Sequence, residues 1–541
     1  MRRSRVASVV ALGVASALVL AACGGGGGSS EGGGAGAPGG GTFSLNINSD
    51  PENPLVPGNT TESEGSQVIR ALFTPLVTYN NETVEIEYGG VAESIETEDN
   101  VTFTVTLKDG WTFHDGSPIT SSSFVDAWNY TANVENAQGG AYFFSKVVGY
   151  DGENPKPAME GLQVVDDRTF TVQLSAPFSQ FPLMTGYNPF SPLPEAFFAD
   201  PDAFGRKPIG NGPFKADTEY VPGQGITLSR FEEYAGDDKA QAGGIDVRLI
   251  SDVNTAYNEL IGGNLDVFRY QVPPELATIA PDELGDRFFE REASSFTFMG
   301  FPLYDPRFQD PRVRQAFSMA VDRPAITEAI FSGTRTPAYD IIPPTIDGHR
   351  PDACQFCQYD PARAQQLLAE SGFDTSQPVE LWFNSGAGHD AWVQAVGNQL
   401  QQNLGITYSL RGDLDFAQYL PLAEEQGMTG PFRLGWGMDY PSPENFLGPL
   451  FTSAGLPPAG SNYPFYSNPE VERLVAEANA APTNEEAVAL YQQAGDIVLT
   501  ELPVMPIFFS VSQGGHSENV DNVQFSPFAT DIVLTDVTVN G

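Results

Sequence analysis

The sequence predicts an α/β protein that carries a separate α+β domain, and three patterns along the chain predict it. Between 84 and 207, alternating strands such as 101–107 and 170–174 are typical of an antiparallel sheet with one solvated face. The stretch 226–267 shows a strand–strand–helix–strand order, which favours a partly parallel sheet. From about 294 onward, helices with clear start signals alternate with short apolar strands.

The first folded stretch begins at Thr42. Residues 43–47 alternate between apolar and polar side chains and predict a strand. Residues 67–73 predict a helix that ends before Pro75, because the residue before a proline disfavours helical geometry. In the α+β region that follows, a further helix is predicted to begin near Ser123.

Helices after 294 have recognisable N-termini. Three of them begin at an Asp or Asn that caps the helix, followed by a proline in the first turn. These pairs are Asp310-Pro311, Asp360-Pro361 and Asn468-Pro469. Another helix is predicted from His389 to Leu404. After Pro503 the chain returns to short strands, predicted at 505–511 and 532–537, so the C-terminus is expected to rejoin an earlier domain.

The N-terminus has the features of an export signal. A basic start is followed by an apolar run at 6–22, which is too short for a stable membrane span. The run ends in Leu-Ala-Ala before Cys23 and resembles a bacterial lipobox, in which Cys23 would carry a diacylglycerol. An ordinary secretory signal with a chance cysteine is the alternative. The Gly/Ser-rich stretch 23–41 predicts a flexible linker, and 1–22 a signal peptide.

The charge of the chain excludes some partners. There are 27 Lys+Arg and 69 Asp+Glu, and removal of the signal takes away three arginines, leaving 24 − 69 = −45. Such an acidic chain is not expected to bind nucleic acid or to lie flat on anionic lipid. Membrane contact is therefore expected through the lipid anchor only, on the extracytoplasmic face.

Cysteine and histidine are too sparse for most catalytic or metal chemistry. After Cys23 only Cys354 and Cys357 remain, and in an oxidising compartment they predict a small-loop disulfide. A zinc site and a thioredoxin-like redox pair are the disfavoured alternatives. The motif Gly-x-Ser-x-Gly occurs at 28–32, but it lies in the linker, without the strand and helix that a nucleophile elbow needs. No enzyme activity, metal or cofactor is expected.

One stretch, 432–441, combines an arginine, a Gly-Trp-Gly sequence, an acid and a Pro-rich exit. Glycines let another backbone come close to a strand. One hypothesis is a strand edge that accepts an extended ligand, with Asp439 binding a positive terminus. The alternative is a buried strand whose Asp439 caps the following turn.

Several ordered stretches together resemble a known family. They are Phe-Thr-Val-Thr-Leu-Lys-Asp-Gly-Trp-Thr-Phe-His-Asp-Gly at 103–116, Gly-Asn-Gly-Pro-Phe at 210–214, Gly-Gly-Asn-Leu-Asp at 262–266, Asp-Pro-Arg-Val-Arg-Gln-Ala-Phe-Ser-Met-Ala-Val-Asp-Arg at 310–323, Tyr-Asp-Pro at 359–361 and Gly-Trp-Gly-Met-Asp-Tyr at 435–440. Behind a lipobox, this series is similar to the dipeptide- and oligopeptide-binding lipoproteins of ATP-binding-cassette (ABC) importers, extracellular solute-binding family 5.

The resemblance implies a two-lobed fold of the periplasmic-binding-protein type, class II, with an extra α+β domain inserted. The lobes would close on the ligand by a hinge. The implied boundaries are 42–80, 209–293 and 512–541 for lobe I, 81–208 for the inserted domain, and 294–511 for lobe II.

The resemblance also implies roles at one end of a bound peptide. A peptide of any sequence is held by its backbone and its charged termini. Asp439 would pair with the ammonium group. The backbone around Gly435 and Gly437 would form strand-like hydrogen bonds, and Trp436 would form part of the wall.

At the other end, the resemblance implies that Arg433 binds the terminal carboxylate. His389, at a helix start, would do so for longer peptides. A second carboxylate-binding arginine of the family is replaced by Glu424, which leaves the preferred peptide length open. Tyr142 of the inserted domain is the expected ligand contact from that side. A surface ion pair for Arg433 and plain helix capping for His389 are the alternatives.

The function implied is capture of short peptides and delivery to a membrane permease whose cytoplasmic ATPases drive import, by a protein that acts as a monomer. One alternative keeps the fold and the importer but changes the ligand to an oligosaccharide, a cell-wall fragment, haem or nickel. An exported hydrolase is disfavoured because no nucleophile and base occur in a credible arrangement.

Overall fold

The structure, a computed structural model, describes residues 40–269, 271–273, 276–457, 460–528 and 531–540. The predicted signal peptide, Cys23 with its predicted lipid, and nearly all of the linker lie outside these residues. From Gly39 onward the chain forms one compact unit. The boundaries between lobes and inserted domain therefore stay predictions.

The described residues form strands and helices in mixed order. The strands are β1 (Thr42–Ile47), β2 (Thr78–Tyr79), β3 (Ile86–Glu87), β4 (Ala92–Thr97), β5 (Thr102–Leu107), β6 (Leu162–Asp166), β7 (Thr169–Gln173), β8 (Phe214–Ala216), β9 (Gly225–Arg230), β10 (Gly244–Leu249), β11 (Val267–Phe268), β12 (Phe288–Gly300), β13 (Arg335–Pro337), β14 (Val379–Trp382), β15 (Tyr408–Arg411), β16 (Phe432–Gly437), β17 (Val504–His516), β18 (Val520–Asp521) and β19 (Thr538–Val539). The helices are α1 (Ser63–Leu72), α2 (Ser121–Ala132), α3 (Phe181–Met184), α4 (Glu195–Ala199), α5 (Pro201–Arg206), α6 (Val253–Ile261), α7 (Ala280–Leu284), α8 (Pro311–Met319), α9 (Arg323–Phe331), α10 (Pro361–Ser371), α11 (Asp390–Leu404), α12 (Phe416–Glu424), α13 (Glu444–Phe451), α14 (Pro469–Asn479) and α15 (Asn484–Glu501). This composition confirms the predicted α/β class.

One large sheet runs in the order β15-β14-β16-β12-β17-β11-β1-β10-β9-β8. β1 is parallel to β10 and β11, as the strand–helix–strand pattern predicts, and β14 is parallel to β15. β12 and β17 are antiparallel strands of 13 residues each, and they pair along most of their length. This long pair joins the two halves of the sheet, and its register shifts between Glu292 and Phe296.

A second sheet is antiparallel and has the order β4-β5-β7-β6. Its alternating residues Phe103, Val105, Phe170 and Val172 are fully buried, whereas the residues between them are not. The helix α2 covers this buried face, where Trp128 packs edge-on against Phe170. The alternation in the sequence therefore predicts this sheet correctly.

The helix starts also follow the sequence. Asp310, Asp360 and Asn468 each accept a hydrogen bond from a backbone N–H in the first turn of the helix that follows. His389 occupies the position before α11, and its side chain makes no capping hydrogen bond there.

The predicted strand at 532–537 is wrong. Ile532 forms only an isolated bridge with Phe525, and the last strand of the described residues is β19, which pairs with β18. Ile532, Leu534 and Val537 are buried in the core. Their alternation reflects side-chain packing rather than pairing in a sheet.

The two remaining cysteines are joined in the structure. Cys354 and Cys357 form a disulfide with their Cα atoms 5.2 Å apart, and both residues are buried. The guanidinium of Arg323, which is also buried, donates to the carbonyl of Cys357 at 2.6 Å. Both cysteines pack in the same hydrophobic cluster as Val504 and Phe509 of β17, so the disulfide has a structural role in the core.

Candidate functional site

β16 contains the Gly-Trp-Gly stretch, and one of its two edges is open. β12 pairs with every residue of β16 on one side. On the other side, β14 pairs with it only where Trp382 lies opposite Phe432. No other strand of the described residues pairs with 433–437 along this edge. The edge is therefore available to an extended ligand.

The alternation of an antiparallel pair shows which backbone groups face the open edge. The N–H of Met438 donates to the carbonyl of Ser294 on the β12 side at 2.9 Å. The even-numbered residues of β16 therefore face β12. Gly435 and Gly437 direct their N–H and C=O groups to the open edge. A side-chain carbon at Gly437 would meet nothing closer than Ser295, 4.0 Å away, so the space above this part of the strand is empty.

Arg433 lies at the start of this edge, and part of its guanidinium N–H donors remain available to a ligand. Its Nη1 donates to Oδ1 of buried Asn384 at 3.2 Å, and its Nη2 lies 3.6 Å from the place where Gly435 would carry a Cβ. The Nε–H is buried and has no partner in the described part of the chain. Burial lowers the pKa of Arg433 to about 10, so the group stays charged at neutral pH. This arrangement suits an incoming anion.

His389 lies in the neighbourhood of Arg433. Its Nδ1 accepts a hydrogen bond from the indole N–H of Trp392 at 3.3 Å, which leaves the proton on Nε2. That Nε2 is buried and has no partner among the described residues. Burial, assisted by the charge of Arg433, lowers the pKa of His389 to about 3, so the ring is a neutral donor. Gly388 before it has φ +70°, a left-handed conformation that glycine permits.

Asp439 lies beyond the other end of β16 and is held by Asn445 of α13. Its backbone N–H donates to Oδ1 of Asn445 at 2.9 Å, and Nδ2 of Asn445 donates to Oδ2 of Asp439 at 3.0 Å. Burial raises the pKa of Asp439 to about 6; hydrogen bonds from Asn445 and Tyr187 and the charge of Arg70 lower it in part. The carboxylate is thus fixed in orientation and incompletely compensated, and a ligand cation would stabilise it.

Tyr142 faces the same cavity as Asp439. The cavity has a volume of about 280 Å³ and lies between the 142–146 segment and helices α13 and α14. Burial and the charge of Asp439 raise the pKa of the Tyr142 phenol. Trp436, half-buried, points its indole N–H to Oδ1 of Asn445 at 3.4 Å. The structure thus groups Tyr142 and Trp436 around the Asp439 end, and Arg433 with His389 around the other.

Four residues at the site were not found by sequence reasoning. Asn384, Asn445, Tyr187 and Arg70 support the predicted residues. Arg70 is itself paired with Asp531 at 2.8 Å and stacks on Phe528 at 3.8 Å. Asn445 could have been predicted from the sequence, because it lies six residues after Asp439 at the start of a helix. Asn384, Tyr187 and Arg70 lie in segments far from Asp439 along the chain, and no local sequence pattern connects them with the site.

The described residues contain neither a metal-binding cluster nor a helix that could span a membrane. No three His, Cys, Asp or Glu side chains are grouped so that they could hold a metal ion. None of the described helices has the combined length and apolar character needed to cross a bilayer.

Comparison with known proteins reveals relatives that match nearly end to end. The oligopeptide-binding protein OppA of Bacillus subtilis (strain 168) is 28% identical over 537 residues, covering 95% of this chain and 96% of OppA. The heme-binding protein A of Haemophilus influenzae is 26% identical over 524 residues, which cover 90% of this chain and 89% of that protein.

Solved structures give the same fold. The Escherichia coli murein tripeptide binding protein MppA superposes with a TM-score of 0.78 at 23% identity, covering 93% of this chain and 99% of MppA. The two-lobed architecture predicted from the sequence is thereby confirmed. The profile of the bacterial extracellular solute-binding proteins, family 5, matches residues 88–457, which is more than half of the sequence. The chain therefore belongs to the bacterial extracellular solute-binding proteins of family 5.

Proposed function

We propose that this protein is the substrate-binding component of an ABC importer and captures short peptides along the open edge of β16. The main support is the open edge of β16. At one end lies the carboxylate of Asp439, which a cation would stabilise, and at the other lie two buried N–H donors, on Arg433 and His389, without a partner among the described residues. Gly435 and Gly437 supply backbone hydrogen bonds, which every peptide can match.

The termini of the peptide complete the arrangement. Asp439 pairs with the ammonium group, and Arg433 with the terminal carboxylate, to which Nε2–H of His389 also donates in longer peptides. Tyr142 and Trp436 enclose the ammonium end. The names of relatives support this assignment, because OppA is an oligopeptide-binding protein and MppA binds a murein tripeptide.

Calorimetry with four forms of one tripeptide tests the assignment. The forms are the free peptide, the N-acetylated peptide, the C-terminal amide and the doubly blocked peptide. We expect acetylation and amidation each to weaken binding by about tenfold or more, since each removes a charge-assisted contact from a desolvated site. Equal affinity for the free and the acetylated peptide contradicts the role of Asp439.

A pair of arginine variants isolates the carboxylate contact. In Arg433→Gln the preference for the free acid over the amide is expected to shrink to about twofold or less, because the charged partner is gone. Arg411→Gln is the matched control: Arg411 lies on β15 of the same sheet and pairs with Glu380 on the surface. If Arg433→Gln keeps the preference for the free acid over the amide while Arg411→Gln loses it, Arg433 does not bind the terminal carboxylate.

A different ligand on the same fold is the second candidate, because one relative is named as a heme-binding protein. Mass spectrometry of whatever co-purifies with the protein, after denaturation, separates the two. A mixture of short peptides with free termini supports the proposal. A single non-peptide molecule keeps the family and removes the roles given to Asp439 and Arg433.

We also propose how the protein is held at the membrane and which partner receives its peptide. Cys23 carries the lipid that holds the protein on the outer face of the membrane, the 23–41 linker gives it reach, and the monomer delivers its peptide to the transmembrane permease. Cys23→Ala should release the protein from the membrane fraction. Membrane retention of a processed Cys23→Ala protein contradicts the lipid anchor.

A further inference from the structure

The cavity that contains Asp439 continues past the carboxylate. Its volume of about 280 Å³ exceeds what an ammonium group needs, and it extends to α14, where Glu472 and Val475 line it. If Asp439 holds the peptide ammonium, the next atom of the peptide is the first Cα, and the first side chain is then the nearest side chain of the peptide that could fill this space. The inference that follows rests on the proposed function.

Apolar side chains form part of the cavity wall, among polar ones such as Ser145 and Thr452. Phe143, Met184 and Val475 are buried, and Pro449 lies beside them. Such walls suit the methylene stem of a long side chain whose polar head lies deeper or at the rim.

The charges in the cavity do not balance. Of the described residues, three carboxylates line it, those of Asp439, Glu444 and Glu472, against one cation, Lys146. Nζ of Lys146 lies 3.6 Å from Oε1 of buried Glu444, and the Tyr440 hydroxyl donates to the other oxygen. The peptide ammonium would match Asp439. Glu472 is then the carboxylate without a cationic partner among the described residues.

Glu472 is half-buried and fixed in place. Its Oε1 accepts from the N–H of Ser453 at 3.2 Å and from the hydroxyl of Ser467 at 3.1 Å. Neighbouring Arg473 does not pair with it, because its guanidinium is taken by Glu470 and Glu477 on the exposed side of α14. The fixed carboxylate is left with acceptor capacity towards the cavity.

We propose that this cavity selects peptides whose first residue is lysine or arginine. The stem of that side chain lies against Phe143, Met184 and Val475, and its cationic head pairs with Glu472. The second positive charge of the ligand thus offsets the charge of Glu472, which has no cationic partner among the residues that the structure describes.

Binding of matched tripeptides to the unaltered protein is the first test. Lys-Ala-Ala and norleucine-Ala-Ala share a similar stem, but only lysine carries the amine, and Glu-Ala-Ala reverses the charge. We expect the lysine peptide to bind about five- to tenfold more tightly than the norleucine peptide, and the glutamate peptide more weakly than both. Equal affinities for all three overturn the selectivity and leave peptide binding intact. Failure of all three to bind, with other peptides also failing, overturns the proposed function itself.

The variant Glu472→Gln localises the selectivity. It is expected to bring the lysine-to-norleucine ratio down to about twofold or less while the norleucine peptide binds as before. Glu477→Gln removes the same charge from the outer face of the same helix and should leave the ratio unchanged. If Glu472→Gln keeps the full ratio, or if both variants lose it equally, Glu472 is not the selecting group. Because the peptide series uses the unaltered protein, misfolding of a variant leaves the first test decisive.

Discussion

In the empty protein, the burial of Asp439 conflicts with the ionised state that its proposed role requires. Its carboxylate is needed in the ionised form for an ammonium group, yet burial disfavours that form and raises its pKa to about 6. Asn445 fixes its orientation from α13. Arg433 is the cationic counterpart: burial lowers its pKa to about 10, and its Nε–H has no partner in the part of the chain that the structure describes. The burial of both charged groups therefore favours ligand binding at the expense of the stability of the empty protein.

Peptide affinity is expected to fall by about tenfold between pH 7 and pH 5. Over that range a carboxyl with a pKa of about 6 changes from mostly ionised to mostly protonated, and only the ionised form attracts the ammonium group. His389, with a pKa lowered to about 3, stays neutral throughout. Calorimetry at both pH values measures the change. An N-acetylated peptide is the control, and an equal loss for it would assign the titration to another group.

Asp439→Asn should stabilise the empty protein while weakening peptide binding. A carboxyl whose pKa is raised from 3.8 to about 6 in the folded state costs stability, because ionisation is harder there than in the unfolded chain. This cost is full above pH 6 and is lost gradually as the pH falls from about 6 towards 3.8. The variant should therefore melt higher than the unaltered protein at pH 8, and the difference in melting temperature should be smaller at pH 5. Thermal melting at the two values checks this, with Glu477→Gln as a surface control. A lower melting temperature at pH 8 would show that the carboxylate supports the fold.

At the scale of elements, β16 is the strand on which the site depends. Its inner edge is paired with β12 throughout, and its outer edge is released because β14 ends at Trp382. The Gly-Trp-Gly sequence and the nearby acid made this strand recognisable before the structure was known. The order β14-β16-β12 was not predictable, because it depends on pairing between segments far apart in the chain. For the same reason Tyr187 and Arg70, from earlier segments, could not be placed beside Asp439.

N-methylation of the peptide backbone should weaken binding at alternate residues only. A ligand added as a strand turns every second N–H to β16, whereas the others face away. A methyl group on an inward N–H removes about one hydrogen bond, which corresponds to roughly fivefold in affinity or more where it also collides. A series of tripeptides to pentapeptides, each methylated at one position, is measured by calorimetry. Equal losses at successive positions would exclude strand addition along β16.

On the scale of the whole molecule, the long strands β12 and β17 connect the two halves of the large sheet. Their register shifts between Glu292 and Phe296, opposite Val511 and Phe509. The lobe crossings predicted from the sequence, at 293–294 and 511–512, fall at this irregularity. A break in the ladder is a place where the sheet can bend without losing many hydrogen bonds. The boundaries themselves stay predictions, but this position is where we expect the hinge.

Contacts between the predicted inserted domain and lobe II would have to break when the lobes open. Ser179 N–H donates to the carbonyl of Asn479 at 2.7 Å, and the hydroxyl of Ser442 donates to Gln180 at 2.8 Å. Lys146 and Glu444 add an ion pair at 3.6 Å beside the Asp439 cavity. Nδ2 of Asn100 adds a hydrogen bond to the carbonyl of Ala481 at 3.2 Å. Each of these polar contacts is expected to contribute only about 1 kcal/mol or less net. The energy that keeps the lobes closed is therefore expected to come mainly from the ligand.

Peptide binding should accordingly protect Ser179 and the 476–481 segment from hydrogen exchange. In the empty protein the lobes open and these backbone N–H groups meet water, whereas the bound peptide holds both sides together. We expect exchange there to slow by about tenfold or more on addition of saturating peptide. β5 (Thr102–Leu107), inside the four-stranded sheet, is the internal control and should exchange at the same rate in both states. Scattering at small angles should show a smaller radius of gyration in the loaded protein. If the segment is equally protected with and without peptide, the lobes do not open in solution, and peptide entry requires a route other than a hinge at Glu292–Phe296.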